Sequence, residues 1–235
     1  MILTLSWKEF REHWPIWITM VIAGLGLGLL MSALNTGREG ISLAALSVLG
    51  MAATYGVVCG AMMFAGEREA GTMVFLDIFL GRRDLIWLWK FLIGIVLALT
   101  QALVVAAVLV YMQQSPPEWL PLFVGLGNLD QAGFMAWNLP HPNQAIWFLV
   151  LPVITMEAYA WGLLGSSLSR RVVNGAACAA LIAAPLLLLV MCTPPPLFLG
   201  IRLVAAIIAL IASSTVFLNQ SKEAQQGPEI GRAHV

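Results

Sequence analysis

The sequence predicts an all-α integral membrane protein with six transmembrane helices. Three observations lead to that class. Of its 235 residues 60% are hydrophobic and only 10% are charged, whereas a soluble domain carries about 25% charged residues. So few charges cannot cover a water-facing surface, and lipid must be the solvent for much of the chain. The apolar residues also gather into six runs, each near the roughly 20 residues that a helix needs to cross a hydrocarbon core about 30 Å thick. Finally, lysine and arginine cluster in the breaks between alternate runs.

The runs are residues 16–34, 41–65, 91–112, 145–168, 172–192 and 197–218, within a transmembrane domain spanning 16–220. Each break has a physical cause. Asn35-Thr36-Gly37-Arg38-Glu39-Gly40 is a polar turn cluster, and Thr193-Pro194-Pro195-Pro196 cannot continue a helix. Ser169-Arg170-Arg171 sets two adjacent cations in a tight turn. One side of the predicted topology then holds Lys8, Arg11, Arg68, Arg82, Arg83, Lys90, Arg170, Arg171 and Lys222; the other holds Arg38, with Arg202 just inside the last run. By the positive-inside rule both termini are expected in the cytoplasm of a cell whose plasma or inner membrane holds the chain.

Residues 1–15 are expected to form an amphipathic elbow helix on the cytoplasmic leaflet. Leu3, Trp7, Phe10 and Trp14 recur on one helical face, Lys8, Glu9, Arg11 and Glu12 lie elsewhere, and Pro15 is expected to break the helix before the first span. At the other end, residues 221–235 form a cytoplasmic tail. Its last residues, Glu229 to Val235, are similar to the in-frame translation of a common DNA sequencing adapter. Residues 227–235 are therefore set apart from the fold, and six spans is a lower bound.

Composition excludes several functions. The formal net charge is zero, which leaves no basic field for nucleic acid. Cys59, Cys178 and Cys192 show no CxxC spacing, and His13, His141 and His234 are scattered, so neither a disulfide frame nor a metal site is expected. There is no GxxxxGK[ST] motif, so the chain should not hold ATP itself. An intramembrane enzyme would need a nucleophile and base within the spans, and no span contains a histidine.

The segment between the second and third runs carries the functional argument. GEREAGTMVFLDIFLGRRDLIWLWK, residues 66–90, contains eight charged residues between two apolar stretches. Glu67, Arg68 and Glu69 should extend the second helix into water. Gly71 can take the left-handed conformation that ends a helix, and Thr72 can cap a short apolar helix over 73–80. Gly81 stops that helix, Asp84 can cap the next, and Trp87, Trp89 and Lys90 mark re-entry at the interface. The whole reads as a cytoplasmic helical hairpin.

This segment resembles the cytoplasmic loop of ABC-2 type transporter permeases. Those membrane subunits show E-x-x-x-G-T, then apolar residues, an arginine twelve after the glycine and a lysine nineteen after it. Glu67, Gly71, Thr72, Arg83 and Lys90 match that pattern, whereas Leu80 and Gly81 stand where the family often has a proline. The elbow, the six spans and the cytoplasmic termini are also similar to the family. The resemblance implies an exporter permease that works with a second permease copy or half. A separate ATP-binding cassette subunit would dock on Glu67, Arg68, Glu69, Gly71, Thr72, Arg83 and Lys90, and any ATP would sit on that subunit. The rival reading is a non-transporting membrane scaffold or assembly protein. A weaker pathway or gating candidate is Glu157, an acid deep in the fourth run. It must be neutral, paired or facing a cavity, with Gln101 or helix carbonyls as expected partners.

Overall fold

The computed structural model describes residues 2–34, 38–71, 83–114, 147–191 and 195–226. Within them the regular structure is all helical: α1 (Ile2–Leu34), α2 (Arg38–Glu69), α3 (Arg83–Gln114), α4 (Trp147–Leu168), α5 (Val172–Met191) and α6 (Pro195–Gln226). Among the described residues, four helices contain a stretch long and apolar enough to cross a membrane: Leu49–Glu69, Asp84–Ala107, Leu149–Leu168 and Leu199–Asn219. Val172–Ile182 in α5 is apolar but shorter. The fold is therefore that of a multi-pass helical membrane protein. The expected short helix over 73–80, its Thr72 cap and the segment 115–146 lie outside the described residues.

Two boundaries differ from the sequence expectation. α1 runs through Pro15 without a break. Proline removes the amide donor to the carbonyl of residue 11, and α1 continues with that rung missing; separately, the Thr19 hydroxyl donates to the Pro15 carbonyl at 2.8 Å. α3 starts at Arg83, two turns before the expected span. Asp84 sits in its first turn, where an acid complements the helix dipole, and Trp87 and Lys90 are already inside a continuous helix.

α4 occupies the centre. Its apolar stretch is 78% buried inside the protein, against 33% for that of α6, which leaves α6 as an outer helix. Close approach of α2 to α4 explains this position. A Cβ at Gly56 would stand 2.6 Å from the Thr155 carbonyl oxygen, and one at Gly60 would collide with the Tyr159 carbonyl. Glycine on both sides of the contact, including Gly162 against Val57, removes that obstacle. The small-residue stripe Ala52-Gly56-Gly60 is thus used for packing within the chain, as such stripes commonly are in membranes. Around the α2–α4 seam lie Tyr55, Met63, Phe64, Leu97, Tyr159, Leu163 and Phe217, with the Phe64 and Phe217 rings 4.4 Å apart. Ser167 and Ser213 share a hydroxyl hydrogen bond of 2.8 Å that joins α4 to α6.

Candidate functional site

The charged residues of the α2 terminus sit where α1, α2, α3, α4 and α5 converge. Glu67, Arg68 and Glu69 are consecutive, and a helix advances about 100° per residue, so their side chains leave α2 in three directions. Each direction finds different helices.

Glu67 turns inward. Its Oε1 accepts from Lys8 Nζ of α1 at 2.7 Å and from Lys90 Nζ of α3 at 3.2 Å. Lys90 also donates to Glu9 Oε1 of α1, and the second Glu9 oxygen lies 3.6 Å from His13 Nε2. Lys8 lies 3.8 Å from Glu12 one turn on. Glu9, His13, Glu67 and Lys90 are all buried, while Lys8 and Glu12 form a partly exposed rim. A buried charge is stable only when paired and hydrogen-bonded, and here cations and acids alternate across three helices. Burial alone would push the Glu9 carboxyl up; the contacts with His13 and Lys90 outweigh it and hold Glu9 down at about 2. Burial likewise pulls Lys8 down, but Glu67 foremost, with Glu12 and Glu9, raises it overall.

Arg68 points to α4. Its Nη1 donates to the carbonyls of Ser166, Ser167 and Ser169 at 3.2, 2.9 and 3.0 Å. The Ser166 and Ser167 carbonyls are among the last of α4, at the negative end of its dipole, and Ser169 follows in the turn. Ser166 answers from the other side, its Oγ accepting from the Phe64 and Ala65 amides of α2 at 2.9 Å each. Glu69 is exposed and accepts from the Val172 amide, the first of α5, at 3.2 Å, so an acid meets the positive end of a helix. Three consecutive side chains therefore fasten α2 to four other helices.

Gly71 follows at once. Its φ is +72°, it is exposed, and no atom stands within 4 Å of where a Cβ would be. The left-handed turn expected from the sequence is present, with the Ala70 amide donating to the Gly66 carbonyl and the Gly71 amide to the Arg68 carbonyl.

Of the residues expected to meet a partner, then, Glu67 and Lys90 face into the bundle, Arg68 is half-buried against α4, and Glu69 and Gly71 are exposed. Thr72 and the Arg83 side chain lie outside the described residues. The N-terminal helix adds one feature to the sequence reading: Arg11 and Glu12 are exposed and Lys8 is partly so, but Glu9 is not. Glu9 and His13 pack inward, and Trp7, Phe10 and Trp14 are 66%, 37% and 43% exposed. Those aromatics form a ladder with Trp17, centroids 6.2, 5.1 and 5.3 Å apart.

Glu157 lies elsewhere, within the apolar stretch of α4. Its partner is Arg202 of α6, in a buried ion pair, and not Gln101, whose buried Oε1 has no hydrogen-bond partner. Sequence reasoning also passed over Glu9, His13 and Ser166. The Glu9–His13 spacing of four residues was the available signal; nothing marked Ser166 beforehand. Cys59 is buried and Cys178 is exposed.

No protein-family model, curated protein or solved structure matches the chain.

Proposed function

We propose that the chain is the membrane-spanning permease subunit of an ABC-2 type exporter, with six spans, a membrane-surface N-terminal segment and cytoplasmic termini. A separate ATPase subunit would engage the segment that begins at Glu69 and Gly71, and a second permease copy or half would complete the pathway. The observation that carries this reading is the placement of Glu67, Arg68 and Glu69: one short stretch beside an exposed left-handed turn is fastened to α1, α3, α4 and α5. A machine driven from outside the membrane needs such a point, where force on one surface segment reaches many helices. Electrostatic pairs fix register at such a contact, while apolar neighbours supply area. In this reading the ATPase meets the exposed Glu69 and Gly71, while Glu67 and Lys90, which face into the bundle, fix the end of α2 that presents them.

The test is co-purification of ATP hydrolysis. Full-length chain, tagged and extracted in mild detergent from its native membrane, should bring with it an ATPase activity that Gly71→Val reduces at least about fivefold, because a β-branched residue is strained in the left-handed region. If no hydrolysis accompanies the native chain, the scaffold reading takes its place.

A further inference from the structure

The turn between α4 and α5 presents two cations that the fold itself does not use. Arg170 and Arg171 are both exposed, and among the described residues neither belongs to an ion pair. Lys8, Lys90 and Arg202, by contrast, are each paired with an acid. The turn lies between the apolar stretch that ends at Leu168 and the one that begins at Val172, so in a membrane it stands where hydrocarbon gives way to headgroups. Apolar side chains are open on either side of the cations: Leu168, Val173 and, about two turns further along α5, Leu181 are all exposed.

The backbone beneath the two arginines is fixed. The Arg171 carbonyl accepts from the Ser169 hydroxyl at 2.9 Å and from the Gly175 amide at 3.0 Å, and the Arg171 amide donates to the Ser169 hydroxyl at 3.2 Å. Close by, Gly165 of α4 and Gly175 of α5 approach so nearly that a Cβ at Gly165 would strike the Gly175 carbonyl. A backbone held in this way lowers the ordering cost of binding. One acid adjoins the turn: Glu69, which accepts from the Val172 amide. Arg68 is engaged with the Ser166, Ser167 and Ser169 carbonyls. Arg170 and Arg171 against Glu69 then leave one positive charge.

We propose that the α4–α5 turn binds one anionic phospholipid, with Arg170 and Arg171 on its headgroup phosphate and its acyl chains along Leu168, Val173 and Leu181. Guanidinium groups match phosphate oxygens in geometry as well as charge. A zwitterionic lipid carries its own cation beside the phosphate, so a turn with one positive charge to spare selects the lipid that lacks it. An acidic protein partner in water would use the arginines but not the apolar residues that flank them at the hydrocarbon boundary. The inference needs only the multi-pass membrane fold and stands apart from the exporter reading.

The test is native mass spectrometry of the full chain released from detergent micelles, with phosphatidylglycerol and phosphatidylcholine of identical acyl chains as probes. Each cation close to an anionic headgroup strengthens binding about fivefold, so the first phosphatidylglycerol should bind at least about tenfold more tightly than phosphatidylcholine. R170Q/R171Q should bring that preference to within about twofold, whereas R11Q, which removes an exposed cation of α1 beside the exposed Glu12, should leave it intact. No preference in the native chain, or one that survives R170Q/R171Q, would overturn the proposal. An equal loss in R11Q would do the same, since it would show a diffuse field in place of a site. Displacement of the lipid by excess inorganic phosphate would assign the arginines to a free anion and count against the lipid. Should the double variant fail to fold, judged by its elution from a sizing column, R170Q and R171Q replace it singly. An unchanged preference in both would again overturn the proposal.

Discussion

Two groups of buried charge can be compared in this molecule. At the end of α2, Lys8, Glu9, Glu12, His13, Glu67 and Lys90 form a branched network across three helices. In the apolar interior, Glu157 and Arg202 form an ion pair between α4 and α6. Both remove ions from water, which costs several kcal/mol per ion unless partners and hydrogen bonds compensate. Their wiring differs. In the network Glu67 serves two lysines and Lys90 serves two acids, so losing one member unbalances several others. In the pair, the loss of one member can be matched by the loss of the other. Position separates them as well: the network has a partly exposed rim at Lys8 and Glu12, whereas Glu157 lies eight residues into the Leu149–Leu168 stretch and Arg202 three into Leu199–Asn219, both buried.

Substitutions can break or sharpen this contrast. The largest effect is expected for Lys90→Met, which leaves Glu9 and Glu67 facing each other's charge. It should cost about 3–5 kcal/mol in reversible unfolding from detergent micelles. Adding Glu9→Met should recover that loss only in part, since Glu67 then leans on Lys8 at the rim. Arg202→Met should cost about 3 kcal/mol by the same measurement, but E157L/R202M should return to within about 1 kcal/mol of native or exceed it, as buried pairs replaced by apolar residues often do. If that double variant stays as unstable as the single one, the pair is a network like the other and the contrast fails. Arg68→Met removes a charged donor from three carbonyls and should cost about 1.5–3 kcal/mol.

Acid provides a subtler probe. The Glu9 carboxyl is held at about 2 in the folded protein, below the ordinary glutamate value of about 4.3. A depressed carboxyl stabilises the fold above its unfolded value, and that contribution fades as pH falls from about 4.3 towards 2. Melting curves of the native chain should therefore fall across this window, and the Glu9→Gln variant should show a shallower fall. The smallest change is expected at Trp7, which is 66% exposed: Trp7→Ala should alter stability in micelles by no more than about 0.5 kcal/mol.

Much of this was legible in the chain. Apolar runs gave the helices because membrane-spanning backbone must satisfy its hydrogen bonds internally, and Gly71 announced its turn because few other residues tolerate positive φ. The continuation of α1 through Pro15 was not legible, since one missing rung can be outweighed by packing beyond the local sequence. Nor was the inward orientation of Glu9 and His13. The pattern separates aromatic from charged residues, but that Glu9 turns inward while Arg11 and Glu12 stay exposed depends on Lys90 of another helix, which pairs with it. The Glu157–Arg202 pair could have been anticipated from parity, one acid in the fourth apolar run and one cation in the sixth; the fold was needed to bring α4 beside α6.

The central claim is that three consecutive residues fasten different helices. It is tested most directly by amide hydrogen exchange across the whole chain in E67Q, R68M and E69Q, one substitution at a time. Glu67→Gln should speed exchange in α1 around residues 8–14 and in α3 around residues 86–93, leaving α4 and α5 as in the native chain. Arg68→Met and Glu69→Gln should do the reverse, loosening the α4–α5 junction and sparing α1 and α3. One shared pattern for all three variants would contradict the account.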